Sequence, residues 1–221
     1  MFLTQFDINV ARRDAMRLLA SPERLHAAVL TAFPPGQSTS DNARTLWRLD
    51  HGPARHDVRL MIVSPLRPDL TALNEQAGWS TGISGRSADY DPFLQGLRSG
   101  STWRFRCTIN PTTAVRRSAG ARGKRVAEVT CEQQLAWFID RVQRHGFTLP
   151  VDDQSTPSAQ VTRRDVLRFR RQGAKVTLAT AQIDGVIQIE DAEAAQLALV
   201  QGIGPAKSYG CGLMTLAPLT R

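Results

Sequence analysis

The spacing of apolar residues predicts alternating strands and helices from the start of the chain. Residues 2–9 alternate apolar and polar side chains, as a half-buried strand does. Ser21-Pro22 then begins a helix, with Ser21 as the N-cap and Pro22 as its first helical residue, and Pro34 ends it. Strands at 44–50 and 57–63, a helix at 68–77 and a strand at 101–110 follow.

The same pattern recurs in the second half of the chain. It predicts a short strand at 125–130, a helix at 132–146 that ends at Gly146, strands at 161–171 and 175–189, a helix from Asp191 and a last strand at 211–219. Each half therefore has the order β-α-β-β-α-β. This order predicts an α+β protein with two tandem ferredoxin-like domains, at residues 1–111 and 112–221, and an interdomain link at 112–124.

Composition narrows the classes of protein to consider. No apolar run approaches the roughly 20 residues of a membrane span, and the first residues lack the apolar core of a signal peptide. We therefore expect a cytoplasmic protein without a membrane partner. The three cysteines contain no C-x-x-C pair, and His51 and His56 lack the spacing of H-E-x-x-H, so we expect no metal and no small-molecule cofactor.

The charge changes this picture. Net charge is +8, and only three of the 28 basic residues are lysines. Codon bias in a GC-rich genome would raise the arginine content evenly along the chain. Here two basic stripes, which are segments of the sequence, contain almost no acidic residues. Residues 98–127 hold eight basic residues and no acidic one, and residues 163–175 hold six against Asp165 alone. Guanidinium groups bind phosphate in a bidentate way, so we predict a polyanionic partner, and RNA before membrane.

The second stripe reads as a basic β-hairpin. Alternation places Leu167 and Phe169 on one strand face and Arg164, Arg168 and Arg170 on the other, with a turn at 172–174. A solvated edge strand is the alternative, although such an edge needs fewer charges. From the two stripes the predicted RNA contacts are Arg163, Arg164, Arg168, Arg170, Arg171, Lys175, Arg116, Arg117, Arg122 and Lys124.

A glycine-rich segment joins the last helix to the last strand. Residues 202–212 hold four glycines, yet they match neither the Walker A loop nor G-x-G-x-x-G, because Ala206 and Lys207 occupy required glycine positions. The segment is either a phosphate cradle or a tight crossing that needs glycine for packing. As a cradle, its RNA contacts would be Gly202, Gly204, Lys207, Ser208, Gly210 and Gly212. The stacking signature of the RNA-recognition fold is absent, which favours binding of a hairpin or duplex by charge and shape.

Several motifs together resemble the CasE family of type I-E CRISPR systems. They are QGIGPAKSYGCGLMTLAPL at the C-terminus, WRFRCTINPT, GKR, EQQLAWF and SPERLHAAVLTAFP, in the family's order and over essentially the whole chain. The resemblance implies two ferredoxin-like domains and metal-independent cleavage of precursor CRISPR RNA at the 3′ base of the repeat hairpin. It also implies that the protein stays on the guide RNA with the other subunits of the Cascade complex.

His26 lies at the position of the family's catalytic histidine. A lone histidine at a helix edge is more often a surface residue, but imidazole can give or take a proton near neutral pH, as cleavage through the 2′-OH requires. Glu23 stands where CasE proteins commonly carry tyrosine, so Glu23, Lys207 and Tyr209 are the supporting candidates. Two other readings stay open: a non-catalytic RNA-hairpin-binding subunit of the same complex, and a metabolic enzyme for a phosphorylated small molecule.

Overall fold

The N-terminal half of the chain forms a four-stranded antiparallel sheet. The computed structural model describes residues 1–35, 44–80, 84–115, 124–171 and 173–219. The first elements are β1 (Phe2–Ile8), α1 (Arg13–Leu19), α2 (Pro22–Leu30), β2 (Leu46–His51), β3 (Val58–Ser64), α3 (Thr71–Ala77), β4 (Gly85–Asp89) and α4 (Asp91–Gln95). The strand order is β2-β3-β1-β4, with the first and third strands in the centre, which is the ferredoxin-like order.

The rest of the chain forms a second sheet of the same kind. Its elements are β5 (Thr102–Ile109), β6 (Thr112–Val115), β7 (Lys124–Ala127), α5 (Cys131–Gln143), β8 (Phe147–Thr148), β9 (Ala159–Arg171), β10 (Ala174–Ile189), α6 (Ala192–Gln201), a single 3₁₀ turn (Lys207–Tyr209) and β11 (Met214–Ala217). The order is β11-β5-β10-β8, with β9 also paired to β10. The predicted α+β class with two ferredoxin-like domains is thereby confirmed. None of the helices in the described ranges is long and apolar enough to cross a membrane.

Three assignments made from the sequence differ from the structure. The sequence pattern predicts the strand at 101–110 as the last strand of the first domain. In the structure this strand, β5, pairs with β10 and β11 in the second sheet. The fourth strand of the first sheet is instead β4. The sequence pattern predicts no strand there, because GRSAD has no apolar alternation, and it pairs with β1 at the sheet edge. The segment predicted to begin the second sheet, β7, pairs with β6 outside both sheets.

These pairings bear on the expected division between residues 111 and 112. Since β5 is hydrogen-bonded within the second sheet, that division would cut the second unit. We propose that the boundary lies between the end of α4 at Gln95 and the start of β5 at Thr102. Helix α1 was also not predicted, because its N-cap position holds Arg12, whose side chain makes no capping hydrogen bond.

A buried arginine fastens the two sheets together. Arg48 of β2 is 1% exposed and donates to the carbonyl oxygens of Arg106 (2.7 Å) and Leu213 (2.9 Å) and to Oγ1 of Thr215 (2.8 Å). Its charge is balanced by Asp50, 2.6 Å away. Because a buried unpaired charge is costly, these contacts fix β2 against β5 and β11. The next residue along the chain, Trp47, therefore has a fixed place on the opposite face of β2.

Candidate active site

His26 is held at the edge of a firmly anchored helix. Ser21 caps α2, its side chain accepting a hydrogen bond from the backbone N–H of Arg24 at 3.4 Å, and Pro22 occupies the first turn, as predicted. Leu25 and Val29 of the same helix are buried in the core. The His26 side chain, next to Leu25, is half-buried at the rim of this core. The helix thus presents an imidazole at a border between apolar packing and solvent.

A buried tryptophan orients the His26 ring. Nε1 of Trp47, a residue only 2% exposed, donates a hydrogen bond to Nδ1 of His26 at 3.1 Å. An indole N–H can only donate, so Nδ1 is the unprotonated nitrogen and the neutral ring carries its proton on Nε2. Burial and, second, the positive charge of Arg171 lower the pKa of His26. At neutral pH the site therefore presents a neutral imidazole with an Nε2–H donor.

The glycine-rich segment packs directly behind this pair. A Cβ on Gly210 would lie 2.7 Å from the Trp47 ring, and the residue has a φ of 80°. A Cβ on Gly202 or Gly204 would lie 2.9 Å from Leu46 or 2.6 Å from Trp137. These contacts favour the interpretation of the segment as a tight crossing. Glycine is needed here to let the chain lie flat against the tryptophan that holds His26.

Several amides of the segment already have partners. The N–H of Gly202 donates to Ala198, that of Gly210 to Lys207 and that of Gly212 to Thr108, at 2.8, 3.4 and 2.7 Å. An amide that donates within the protein is not free to cradle phosphate. The amides of these three glycines are therefore already used within the protein.

Tyr209 brings the segment into contact with the basic hairpin. Its ring lies 4.8 Å from the ring of Phe169, and Cζ of Arg171 lies 6.0 Å from its centroid. Phe169 and Arg171 are on the same face of β9, and Arg171 is the residue whose charge reaches His26. The hairpin, the glycine-rich segment and α2 thus converge on one place, although the three are far apart in the sequence.

The other supporting candidates lie around this centre. Glu23 is in the first turn of α2, one helical turn before His26. Lys207 is half-buried in the 3₁₀ turn, and burial and then the charge of Arg44 lower its pKa. Ser208 beside it is exposed. The charge of Arg171 acts on His26, and Arg171 lies over the Tyr209 ring, whereas the charge of Lys207 acts on His145.

The predicted basic hairpin is formed by β9 and β10, and Gly173 in its turn has a φ of 80°. Arg164, Arg168 and Arg170 are exposed along one face of β9, as the alternation predicted. Two further predicted RNA contacts also lie on this hairpin: Arg163 pairs with Asp165 at 2.6 Å, and Lys175 is exposed at the start of β10. The predicted contacts Arg116, Arg117 and Arg122 lie outside the described residues. Lys124 begins β7, and only its backbone is described.

The sequence predicts neither the contact of Trp47 with His26 nor the position of Arg171 beside His26. Alternation along β2 does predict that Trp47 lies on the same face as Leu49. The sequence does not show that this face packs against α2. In the described part of the chain, no three His, Cys, Asp or Glu side chains are grouped closely enough to hold a metal ion.

Comparison with known proteins decides the family. The family model described as "CRISPR associated protein" matches residues 1–218. The chain belongs to this family. Cse3 of Thermus thermophilus, a CRISPR-associated endoribonuclease, is 30% identical over 228 residues, which cover 99% of this CRISPR-associated protein and 100% of the relative. The Cascade subunit CasE of Escherichia coli is 32% identical over 204 residues, covering 89% and 92%. The resemblance to CasE proteins is thereby confirmed.

Solved structures of the family have the same fold as this CRISPR-associated protein. Cse3 bound to a 19-nucleotide RNA has a TM-score of 0.83 at 28% identity, covering 99% of this chain and 100% of that one. Thermus thermophilus Cse3 bound to an RNA representing a pre-cleavage complex has a TM-score of 0.81 at 28% identity, covering 98% of each chain. Cas6e of Escherichia coli has a TM-score of 0.60 at 25% identity, covering 99% and 100%.

Proposed function

We propose that this chain is a metal-independent endoribonuclease that cleaves precursor CRISPR RNA at the 3′ base of the repeat hairpin. One observation carries the proposal. A neutral His26, oriented by the buried indole of Trp47, lies beside Arg171 and Tyr209 at the turn end of a strongly basic hairpin. Its full-length relatives support the same activity, since Cse3 is named an endoribonuclease and CasE a Cascade subunit.

The reaction needs two proton transfers and no further reactant. The 2′-oxygen attacks the adjacent phosphorus, the bond from phosphorus to the 5′-oxygen breaks, and the products end in a 2′,3′-cyclic phosphate and a 5′-OH. The departing 5′-oxygen receives a proton and the 2′-OH loses one. Because Nδ1 accepts from Trp47, Nε2–H of His26 is the donor to the departing oxygen. This transfer leaves His26 as an imidazolate, which recovers its proton from water. In triosephosphate isomerase a neutral histidine with a lowered pKa also acts through its N–H, by polarising a carbonyl.

Glu23 and Tyr209 complete the proposed chemistry. A carboxylate accepts a proton near neutral pH, whereas a phenol does so only when ionised. Glu23, one turn before His26 in α2, is therefore the proposed acceptor from the 2′-OH, in the place where CasE proteins commonly carry tyrosine. Tyr209 is the proposed donor to a non-bridging phosphate oxygen, together with Lys207 from the same 3₁₀ turn. Arg171 adds positive charge where the phosphate becomes more negative.

The exposed face of β9 supplies the binding surface. Arg164, Arg168 and Arg170 lie on the same face of β9, so their guanidinium groups can bind successive phosphates of an RNA stem. The opposite face of β9 carries Arg171 toward His26. We propose that a stem held on the arginine face has its base at the turn end of the hairpin, where Arg171 lies near His26. We further propose that the product stays bound on this surface in a cytoplasmic Cascade complex.

The test is cleavage of RNA transcribed from the CRISPR array of the same genome, in EDTA, with both product ends mapped. We expect a single cut at the 3′ base of the hairpin, a 2′,3′-cyclic phosphate on the upstream product, and no cut when the scissile nucleotide carries 2′-deoxyribose. Tight binding without any cut would instead favour the non-catalytic RNA-binding subunit. Cleavage that depends on added Mg²⁺ and leaves a 5′-phosphate would refute the proposed mechanism.

A further inference from the structure

A cavity of about 210 Å³ lies where the two sheets meet, directly beside the candidate active site. It shares two residues with that site, because the rings of Trp47 and Tyr209 line it. Leu25, the residue before His26, forms another part of its wall. A group bound in the cavity would therefore lie next to the imidazole. The cleavage chemistry described above makes no use of this space.

The walls of the cavity are apolar and partly aromatic. Leu19 and Leu25 enclose it from the helices, Leu49 from β2 and Leu167 from β9. Trp47 and Tyr209 are two of only six Trp and Tyr residues in the chain. A flat, hydrophobic ring system fits such surroundings, since stacking on aromatic side chains is tolerant of its identity.

Polar groups lie deeper in the cavity, where a flat ligand would present its edge. Thr180 and Gln182 of β10 are 5% and 9% exposed and line the space. The Gln182 amide nitrogen donates to Oγ1 of Thr162 and to Oδ2 of Asp184, at 3.0 and 3.1 Å. Both of its hydrogens are then used within the protein, so the amide oxygen is the end left to accept from a ligand. A nucleobase edge carries the N–H groups that such an oxygen accepts.

The rim of the cavity is suited to a phosphodiester chain. Arg163 and His51 line it, and Arg163 is paired at 2.6 Å with Asp165, another lining residue. Cζ of Arg171 lies 6.0 Å from the centroid of the Tyr209 ring, which also lines the cavity. Arg163 and Arg171 thus place positive charge at one edge of an apolar interior, which matches a ligand with an anionic backbone and an uncharged, planar side group.

We propose that this cavity binds one unpaired nucleobase of the RNA, next to the scissile phosphate. The inference rests on the proposed function and adds a base-binding site to it. A volume of about 210 Å³ accommodates one base, and is below the roughly 300 Å³ at which pockets begin to take larger ligands. Insertion of the base turns its nucleotide out of the stack and places the neighbouring phosphate against His26. The protein then holds one base by stacking, in addition to charge and shape.

The first arm of the test uses the unaltered protein. Each unpaired nucleotide that flanks the cut in the repeat RNA is replaced in turn by an abasic one, and binding and single-turnover cleavage are measured. Stacking of one base is worth about 1–3 kcal/mol, so one position should weaken binding at least roughly fivefold, while its neighbours have little effect. 2-Aminopurine at that position should change its fluorescence when the protein binds.

The second arm blocks the cavity. Leu167→Trp fills it from β9 and should weaken binding of the intact RNA as much as the abasic change does, without weakening binding of the abasic RNA any further. Leu197→Trp, at a 48% exposed position on α6, is the matched control and should bind both RNAs like the unaltered protein. The two changes are then non-additive, as expected when they remove the same contact.

The outcomes separate this inference from the function on which it rests. If no flanking abasic position changes affinity by more than about twofold, or if Leu167→Trp and the abasic change add fully, the base-binding site is refuted. The unaltered protein and the intact RNA are present in the same series. If the unaltered protein cleaves the intact RNA at the base of its hairpin, the proposed function is supported whatever the abasic series shows. If it cleaves no RNA, the proposed function is refuted.

Discussion

Replacing Trp47 by phenylalanine would remove the N–H donor to His26 while keeping an aromatic ring beneath Gly210. The hydrogen bond of 3.1 Å lies at a half-buried site, where such a bond contributes about 0.5–1.5 kcal/mol. It exists only while Nδ1 is unprotonated, so its loss should raise the pKa of His26. The same energy, lost from a correctly oriented donor, should slow single-turnover cleavage about two- to tenfold.

The direction of the pH effect follows from the lowered pKa of His26 in the unaltered protein. The neutral ring is the active form, so activity should be present above the folded pKa and decline as pH falls through it. In Trp47→Phe this decline should begin at a higher pH. Nitrogen-15 NMR of the imidazole gives both the pKa and the tautomer, and quench-flow gives the rate at each pH.

Trp103→Phe is the matched control, because the Trp103 indole also donates one hydrogen bond, to Oγ of Ser101 at 3.0 Å, but on β5 away from His26. It should leave the pH profile of cleavage unchanged. An equal loss of stability in both variants with a shifted profile only in Trp47→Phe would support the orienting role. An unshifted His26 pKa in Trp47→Phe would refute it.

Three further outcomes are expected. Arg168→Ala combined with Arg170→Ala should weaken binding of the RNA hairpin at least tenfold in a filter assay and leave the saturated cleavage rate nearly unchanged. Slower saturated cleavage with unchanged affinity would instead place the β9–β10 hairpin in the active site. Glu23→Gln should slow saturated cleavage much more than Tyr209→Phe does, and equal rates would remove Glu23 as proton acceptor. Gly210→Ala, at a φ of 80° and against the Trp47 ring, should cost at least about 1–2 kcal/mol of stability in thermal unfolding, and no change would contradict the packing role.

The sequence predicted the elements whose local signals are strong. Ser21-Pro22 and Asp191 gave the starts of α2 and α6, because capping depends on a few neighbouring residues. The basic hairpin was also predicted, since its alternation runs through most of β9. The sequence could not assign β5 to the second sheet, because pairing with β10 depends on contacts across some 75 residues rather than on local pattern.

The candidate site was only partly predictable for the same reason. His26 could be proposed from its resemblance to CasE proteins, but the residue that orients it, Trp47, lies on another element and is recognised only when α2 packs beside β2. The glycines were correctly singled out, yet their reason became clear from their close approach to Leu46, Trp137 and Trp47. Arg171 was grouped with the stem-binding arginines, although alternation alone places it on the opposite face of β9 from Arg170.

The most direct test of this account is the single-turnover cleavage rate of His26→Ala, measured in EDTA on the repeat hairpin at saturating protein. His26 lies at a helix edge and is only half-buried, so the change should leave the fold and the binding constant nearly unaltered. Loss of the proton donor should slow cleavage at least about a hundredfold. Cleavage at the unaltered rate, with the same product ends, would contradict the central role given to His26.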